Sequence, residues 1–164
     1  PTCTLLHRLD LGTSGIMVVA LNKTVNGFIG KQFQNGKVAK TYTAVLDGLL
    51  LNDTGVIDLP IAKGEFPLQK ICAETGKQAL TEYQVIERDL DNQTTRVLFK
   101  PLTGRTHQLR VHSAQINHPI LGCDLYATDQ AFFKAERLML HANRTTFTPP
   151  VTLKKRTFEC PEPF

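Results

Sequence analysis

No Cys-x-x-Cys pair occurs in the 164-residue sequence; its four cysteines, Cys3, Cys72, Cys123 and Cys160, are scattered. Neither a zinc knuckle nor a dithiol redox site is indicated, and reduced thiols in a cytoplasmic setting are the economical reading. No apolar run approaches the length of a membrane span, and no basic region followed by an apolar stretch opens the sequence, so neither a membrane segment nor an export signal is read. Asn-x-Thr triplets at Asn22, Asn52, Asn92 and Asn143 are then chance matches. Internal repeats and low-complexity linkers are also missing. The formal net charge is only +4, which permits a polyanionic partner without demanding one. What is present suits one folded domain: hydrophobic residues make up 41%, and the length is enough to bury a core.

The stretch that organises the chain is His7-Arg8-Leu9-Asp10-Leu11-Gly12-Thr13-Ser14-Gly15, followed by the apolar run 16–21. A short β-branched run behind a glycine predicts a buried central strand. With residues 7–10 extended, Arg8 and Asp10 project from one face, a cation and a carboxylate sharing a surface. Thr13-Ser14-Gly15 supplies turn chemistry, with hydroxyls that can bond the local backbone. Asp10 is therefore a candidate catalytic carboxylate at the mouth of a rigid turn, with half of a surface ion pair as the plainer alternative.

Further along, Asn22 can cap a helix reaching about Gln34, with Asn35-Gly36 ending it. Residues 40–48 predict a half-buried strand, 55–59 a short one, and 69–74 another extended piece beyond Phe66-Pro67. Residues 78–88 and 94–100 predict a hairpin across Asp89–Gln93. Helices are expected over 106–117 and 129–136, and two last strands over 138–147 and 151–160, split by Pro149-Pro150. Many strands and few helices without regular βαβ alternation give an α+β fold: a mixed, mostly antiparallel sheet with flanking helices.

A second polar cluster, Gly104-Arg105-Thr106-His107-Gln108-Leu109-Arg110-Val111-His112, falls at a strand-to-helix junction. Leu109 and Ile116 lie on one side of that helix and Val111 and Ala114 nearly opposite, so it is covered on two sides and the Arg110 guanidinium emerges from a packed environment. Arg105 and Arg110 pairing with core-edge carboxylates is the alternative. A His107/His112 metal site is disfavoured by their spacing. Tyr42, as an isolated strand tyrosine, would ordinarily be core.

Taken together, His7-Arg8-Leu9-Asp10-x-x-Thr13-Ser14-Gly15, Lys40-x-Tyr42-x-Ala44-Val45 and the Gly104–His112 cluster resemble the RluA-type pseudouridine synthases. His118-Pro119-Ile120-Leu121-Gly122-x-x-x-Tyr126 and Arg137-Leu138-x-Leu140-His141-Ala142 extend that resemblance over nearly the whole chain. It implies isomerisation of uridine in ribosomal RNA, transfer RNA or both, with no metal or redox cofactor. It also implies that Asp10 is the essential carboxylate, that Tyr42 stacks on the uracil and helps remove the proton of ring carbon five, and that Arg110 pairs with the aspartate. An ionised carboxylate can serve either covalent attack or removal of a sugar proton, and a neighbouring guanidinium favours that form in a pocket.

The target nucleotide must be flipped out of its helix, and Arg8 resembles the residue that fills the vacated stack. Lys100, Arg105 and His107, with the run Lys154-Lys155-Arg156, are the expected RNA contacts. Members of the family carry a segment upstream of the aspartate motif, so residues 1–164 are expected to be a catalytic domain lacking its N-terminal part. The expected state is a cytoplasmic monomer without membrane association. Two other readings stay open: an RNA-binding module without turnover, and a metal-free ribonuclease using His107 and His112 as acid and base.

Overall fold

The computed structural model describes residues 4–164. In chain order its elements are β1 (Thr4–Leu5), β2 (Ser14–Gly15), β3 (Val19–Ala20), α1 (Lys23–Gln34), β4 (Ala39–Asp47), β5 (Thr54–Asp58), β6 (Ile61–Lys63) and β7 (Gln69–Ile71). There follow β8 (Leu80–Asp89), β9 (Thr94–Pro101), α2 (Gln108–Gln115), α3 (Asp129–Phe133), β10 (Leu140–Phe147) and β11 (Arg156–Glu159). The main sheet runs β11-β10-β4-β9-β8-β5, all antiparallel, with β2 added beside β10 in parallel. β1–β3 and β6–β7 form two small ribbons. The expected α+β fold with a mixed sheet is what the chain adopts. No helix among the described residues is long and apolar enough to cross a membrane.

Local chemistry sets the boundaries. Asn22 caps α1 by accepting the Val25 N–H at 2.9 Å, and Gly36, in the left-handed region, turns the chain out of it. The β8–β9 hairpin forms where Asp89, Asn92 and Gln93 cluster, the Asp89 carboxylate accepting the Asp91 and Asn92 N–H groups at 3.0 Å.

The central strand is β4, and the apolar run 16–21 is not a central strand. That run yields only the two paired residues of β3, while Met17 and Leu21 are exposed. Two features divert it: Gly15 turns away from β10 at φ 112°, and the Val18 N–H, which a ladder would use, goes to His7 Nε2 at 2.9 Å. Val18 packs instead on a small cluster with Ile29 and Phe147. β4 is buried on both faces from Tyr42 to Leu46, rather than on one, because α2 covers one side while Leu121 and Phe164 pack near Val45 on the other. Tyr42 lies opposite Phe99 and Ala44 opposite Val97 and Leu140, forming the main core with Leu109.

α2 is buried all round, from Gln108 to Ser113, which a polar sequence permits only if each buried polar group is bonded. Gln108 accepts from the Thr103 hydroxyl and the Arg105 N–H and donates to Leu80 O and Thr81 Oγ1. His112 donates from Nε2 to Leu59 O, and its Nδ1 takes the Thr81 hydroxyl proton, both at 2.9 Å. With both nitrogens committed inside the fold, His112 cannot act as an acid or base on RNA, which overturns the ribonuclease reading.

Burial lowers the pKa of His7, to about 4, and lowers those of His107 and His112, from an ordinary 6.5. Between those values the unfolded chain binds protons that the folded chain refuses, so stability falls as pH drops from about 6.5 toward 4. Urea midpoints measured across that window should decline steadily, and His7→Gln, which keeps an acceptor for the Val18 N–H, should flatten part of the decline. An unchanged slope in the variant would refute the assignment of His7.

Candidate active site

Asp10 opens a tight turn, its carbonyl accepting the Thr13 N–H at 3.0 Å, with Gly12 in the left-handed region between them. The Ser14 hydroxyl was expected to bond the local backbone, but it ties this turn to distant elements. Arg137 Nη2 donates to Ser14 Oγ at 2.6 Å, Ser14 donates to His141 Nδ1 at 2.8 Å, and His141 Nε2 donates to the Cys160 carbonyl at 3.0 Å. Together with the β2–β10 pairing, this holds the aspartate's turn against the sheet.

Asp10 faces a cleft of about 630 Å³. Arg8, Lys40, Tyr42 and Arg105 line it as well, with Leu109 and Leu140 supplying apolar surface. Cations, a phenol and a carboxylate thus meet in one concavity of a size that suits a nucleotide. Tyr42 is buried, and its pKa is pushed up to about 12, first by burial and second by the Asp10 charge, so it is a neutral phenol at ordinary pH. Lys40 stands 5.7 Å over the Phe33 ring, and burial lowers its pKa. Arg105 is anchored by Nε to Gln78 O at 2.9 Å.

Arg110 is not paired with Asp10, contrary to expectation. It is 2% exposed; Nη2 donates to the Asp124 carboxylate, Nε reaches Cys123 Sγ at 3.3 Å, and the guanidinium lies 5.4 Å above the Tyr126 ring. The segment after Gly122 runs back along α2 and brings Asp124 closer than Asp10. Asp10 still acts on it at longer range: burial opposes the guanidinium's charge, but Cys123, Asp124 and Asp10 together outweigh it and raise its pKa.

His107, at the start of α2 between the cleft-lining Thr106 and Gln108, is not itself a lining residue; its Nδ1 is 2.7 Å from the Tyr126 hydroxyl. Burial lowers its pKa; Asp10 opposes that shift while Arg110 and Arg8 reinforce it.

Lys100 is not brought to the site. It faces a groove on the other side of the sheet, paired with Glu82 at 3.1 Å, because Phe99 points into the core and its neighbour must point away. The run 154–156 is exposed at the β10–β11 connection and does not line the cleft. Lys40 had no role assigned from the sequence, although its two-residue spacing from Tyr42 on a strand put both on one face. Tyr126 closed one of the motifs of the resemblance but was given no role there, and Asp124 carried no local pattern that would have singled it out.

Comparison with known proteins shows the family. The family model described as RNA pseudouridylate synthase matches residues 1–115. Over the full chain, the sequence is 47% identical to the dual-specificity RNA pseudouridine synthase RluA of Yersinia pestis, covering 80% of that protein. It is 45% identical to the RluA of Escherichia coli K12, covering 75% of it. Among solved structures, human RNA pseudouridylate synthase domain containing 1 superposes over the whole chain with a TM-score of 0.90 at 32% identity, the match spanning 71% of the human chain.

Proposed function

The chain belongs to the RluA-type RNA pseudouridine synthases and is an isomerase acting on RNA, and from that premise we propose that it modifies uridines in both ribosomal and transfer RNA through Asp10. The observation that carries the site assignment is the convergence of Asp10, Tyr42, Arg8, Arg105 and Lys40 on one cleft. In this reading residues 1–164 act as a catalytic domain, in the cytoplasm and as a monomer. The RluA relatives are named dual-specificity RNA pseudouridine synthases, and ribosomal and transfer RNA are the two classes that the motif resemblance implies.

The reaction breaks the bond between uracil nitrogen one and the ribose, turns the base, joins its carbon five to the same sugar carbon, and releases the proton of carbon five. Arg8, exposed at the rim, enters the stack that the everted uridine leaves. Arg105 and Lys40 neutralise flanking phosphates at the cleft wall. Lys100 has no part in this scheme. The Asp10 carboxylate acts on the nucleotide, by adding to it or by drawing off a sugar proton. Tyr42 enters as the neutral phenol and packs on the uracil. Arg110 contributes a fixed positive charge behind Asp10, already balanced by Asp124, so no bare guanidinium is buried in the free protein.

Sequencing of chemically tagged pseudouridines in cells with and without the gene tests the assignment. At least one uridine in ribosomal RNA and one in transfer RNA should lose the tag without the gene and regain it on complementation. Dependence confined to one RNA class would refute the dual substrate, and no dependent site would refute the function.

A further inference from the structure

One four-residue segment, 123–126, holds two side chains at α2, Arg110 within it and His107 at its N-cap. Cys123 Sγ and the Asp124 carboxylate take N–H groups of Arg110, and the Tyr126 ring lies beneath the guanidinium. The Tyr126 hydroxyl meets the Gln69 N–H at 2.9 Å and His107 Nδ1 at 2.7 Å. A backbone N–H can only donate, so the phenol oxygen accepts from Gln69. Among the described residues the phenol proton has one acceptor, His107 Nδ1. When that proton is given to Nδ1, the imidazole is neutral, with its own proton on Nε2.

Burial favours the same neutral form. His107 moreover adopts φ 55°, a left-handed conformation that costs a non-glycine residue energy and persists where its surroundings dictate it. Among the described residues its Nε2 has no hydrogen-bond partner.

We infer that Tyr126 is a positioning residue for the isomerisation: its hydroxyl fixes His107 in the Nε2–H tautomer and aims that N–H at a carbonyl oxygen of the everted uracil. The inference rests on reading the Asp10 cleft as the uridine site. When the bond from uracil to ribose breaks, its electron pair stays on the base and charge grows on the ring carbonyl oxygens. A neutral, preset N–H stabilises that charge without giving up its proton, so the step balances with no acid consumed. A neutral donor suits a carbonyl, whereas a phosphate contact would favour the imidazolium.

The test pairs turnover with a spectroscopic readout on the free protein. Nitrogen-15 imidazole shifts of the wild type should show His107 protonated at Nε2 and bare at Nδ1, and Tyr126→Phe should release this into a tautomer mixture. On RNA, Tyr126→Phe should lower kcat by about tenfold with KM within about twofold, with only a small drop in thermal melting, since the Gln69 N–H loses its acceptor while the ring under Arg110 remains. In a His107→Asn background, chosen because asparagine tolerates the left-handed backbone, Tyr126→Phe should lower kcat no further. A wild-type Nδ1–H tautomer, an unaffected kcat, or the same loss recurring without His107 would each overturn the inference. A wild type that binds RNA without isomerising it would instead defeat the reading of the cleft, and the nitrogen shifts would still decide the tautomer.

Discussion

Asparagine in place of Asp10 is expected to leave RNA binding and folding intact while reducing the single-turnover rate of pseudouridine formation by at least about a thousandfold. The turn that presents residue 10 uses its backbone carbonyl, which asparagine keeps. Arg110 draws its ion pair from Asp124, so removing the Asp10 charge strands no buried guanidinium. What disappears is the carboxylate in a cleft otherwise lined by cations and a neutral phenol. The same variant should let the Tyr42 pKa relax downward from about 12, since the Asp10 charge is the second cause of its elevation, though burial will keep it above the ordinary value. Rate and midpoint together decide the matter: an unfolded variant would make Asp10 structural, and an active one would remove it from the chemistry.

Gly15→Ala is expected to be the most damaging small substitution in the segment that carries the aspartate. Gly15 has φ 112°, and a Cβ there would stand 2.3 Å from Ala142 O and 2.6 Å from Ala142 N. Those atoms are backbone of β10, pinned on the other side to Tyr42 of β4, so neither can yield without disturbing the cleft. The combination of a forbidden conformation and a backbone clash should cost on the order of 3 kcal/mol or more in urea unfolding. Isomerisation should fall further than stability alone explains, because β2 carries Ser14, whose hydroxyl ties the Asp10 turn to His141 and Arg137. An alanine variant with the wild-type midpoint would show that β2 does not seat on β10 as described.

The sequence revealed those elements whose local chemistry decides their form. The Asn22 cap, the Asp89 turn and the hairpin on either side of it follow from nearby residues, and the structure contains them. The run 16–21 misled because apolar composition reports burial propensity, not pairing. It could not report that His7 would take the Val18 N–H, nor that Gly15 would turn aside from β10. α2 was read as covered on two sides because its apolar residues fall there; its polar residues are buried too, satisfied by groups distant in sequence such as Thr81 of β8, Leu59 and Cys123. The candidate site divides in the same way. Asp10, Tyr42, Arg8 and Arg105 share the cleft, as motif resemblance implied. Lys100 was misplaced although strand alternation from Phe99 was enough to turn it outward. The Arg110–Asp124 pair was hidden because it depends on how the segment after Gly122 folds back, which no spacing encodes.

The most direct measurement is tritium release by the purified wild-type chain from RNA carrying uridine labelled at ring carbon five. If an everted uridine is isomerised at Asp10, tritium should appear in water in step with pseudouridine, one for one, while the RNA stays full length. RNA that is bound at the cleft yet retains its tritium through many cleft occupancies would contradict the account.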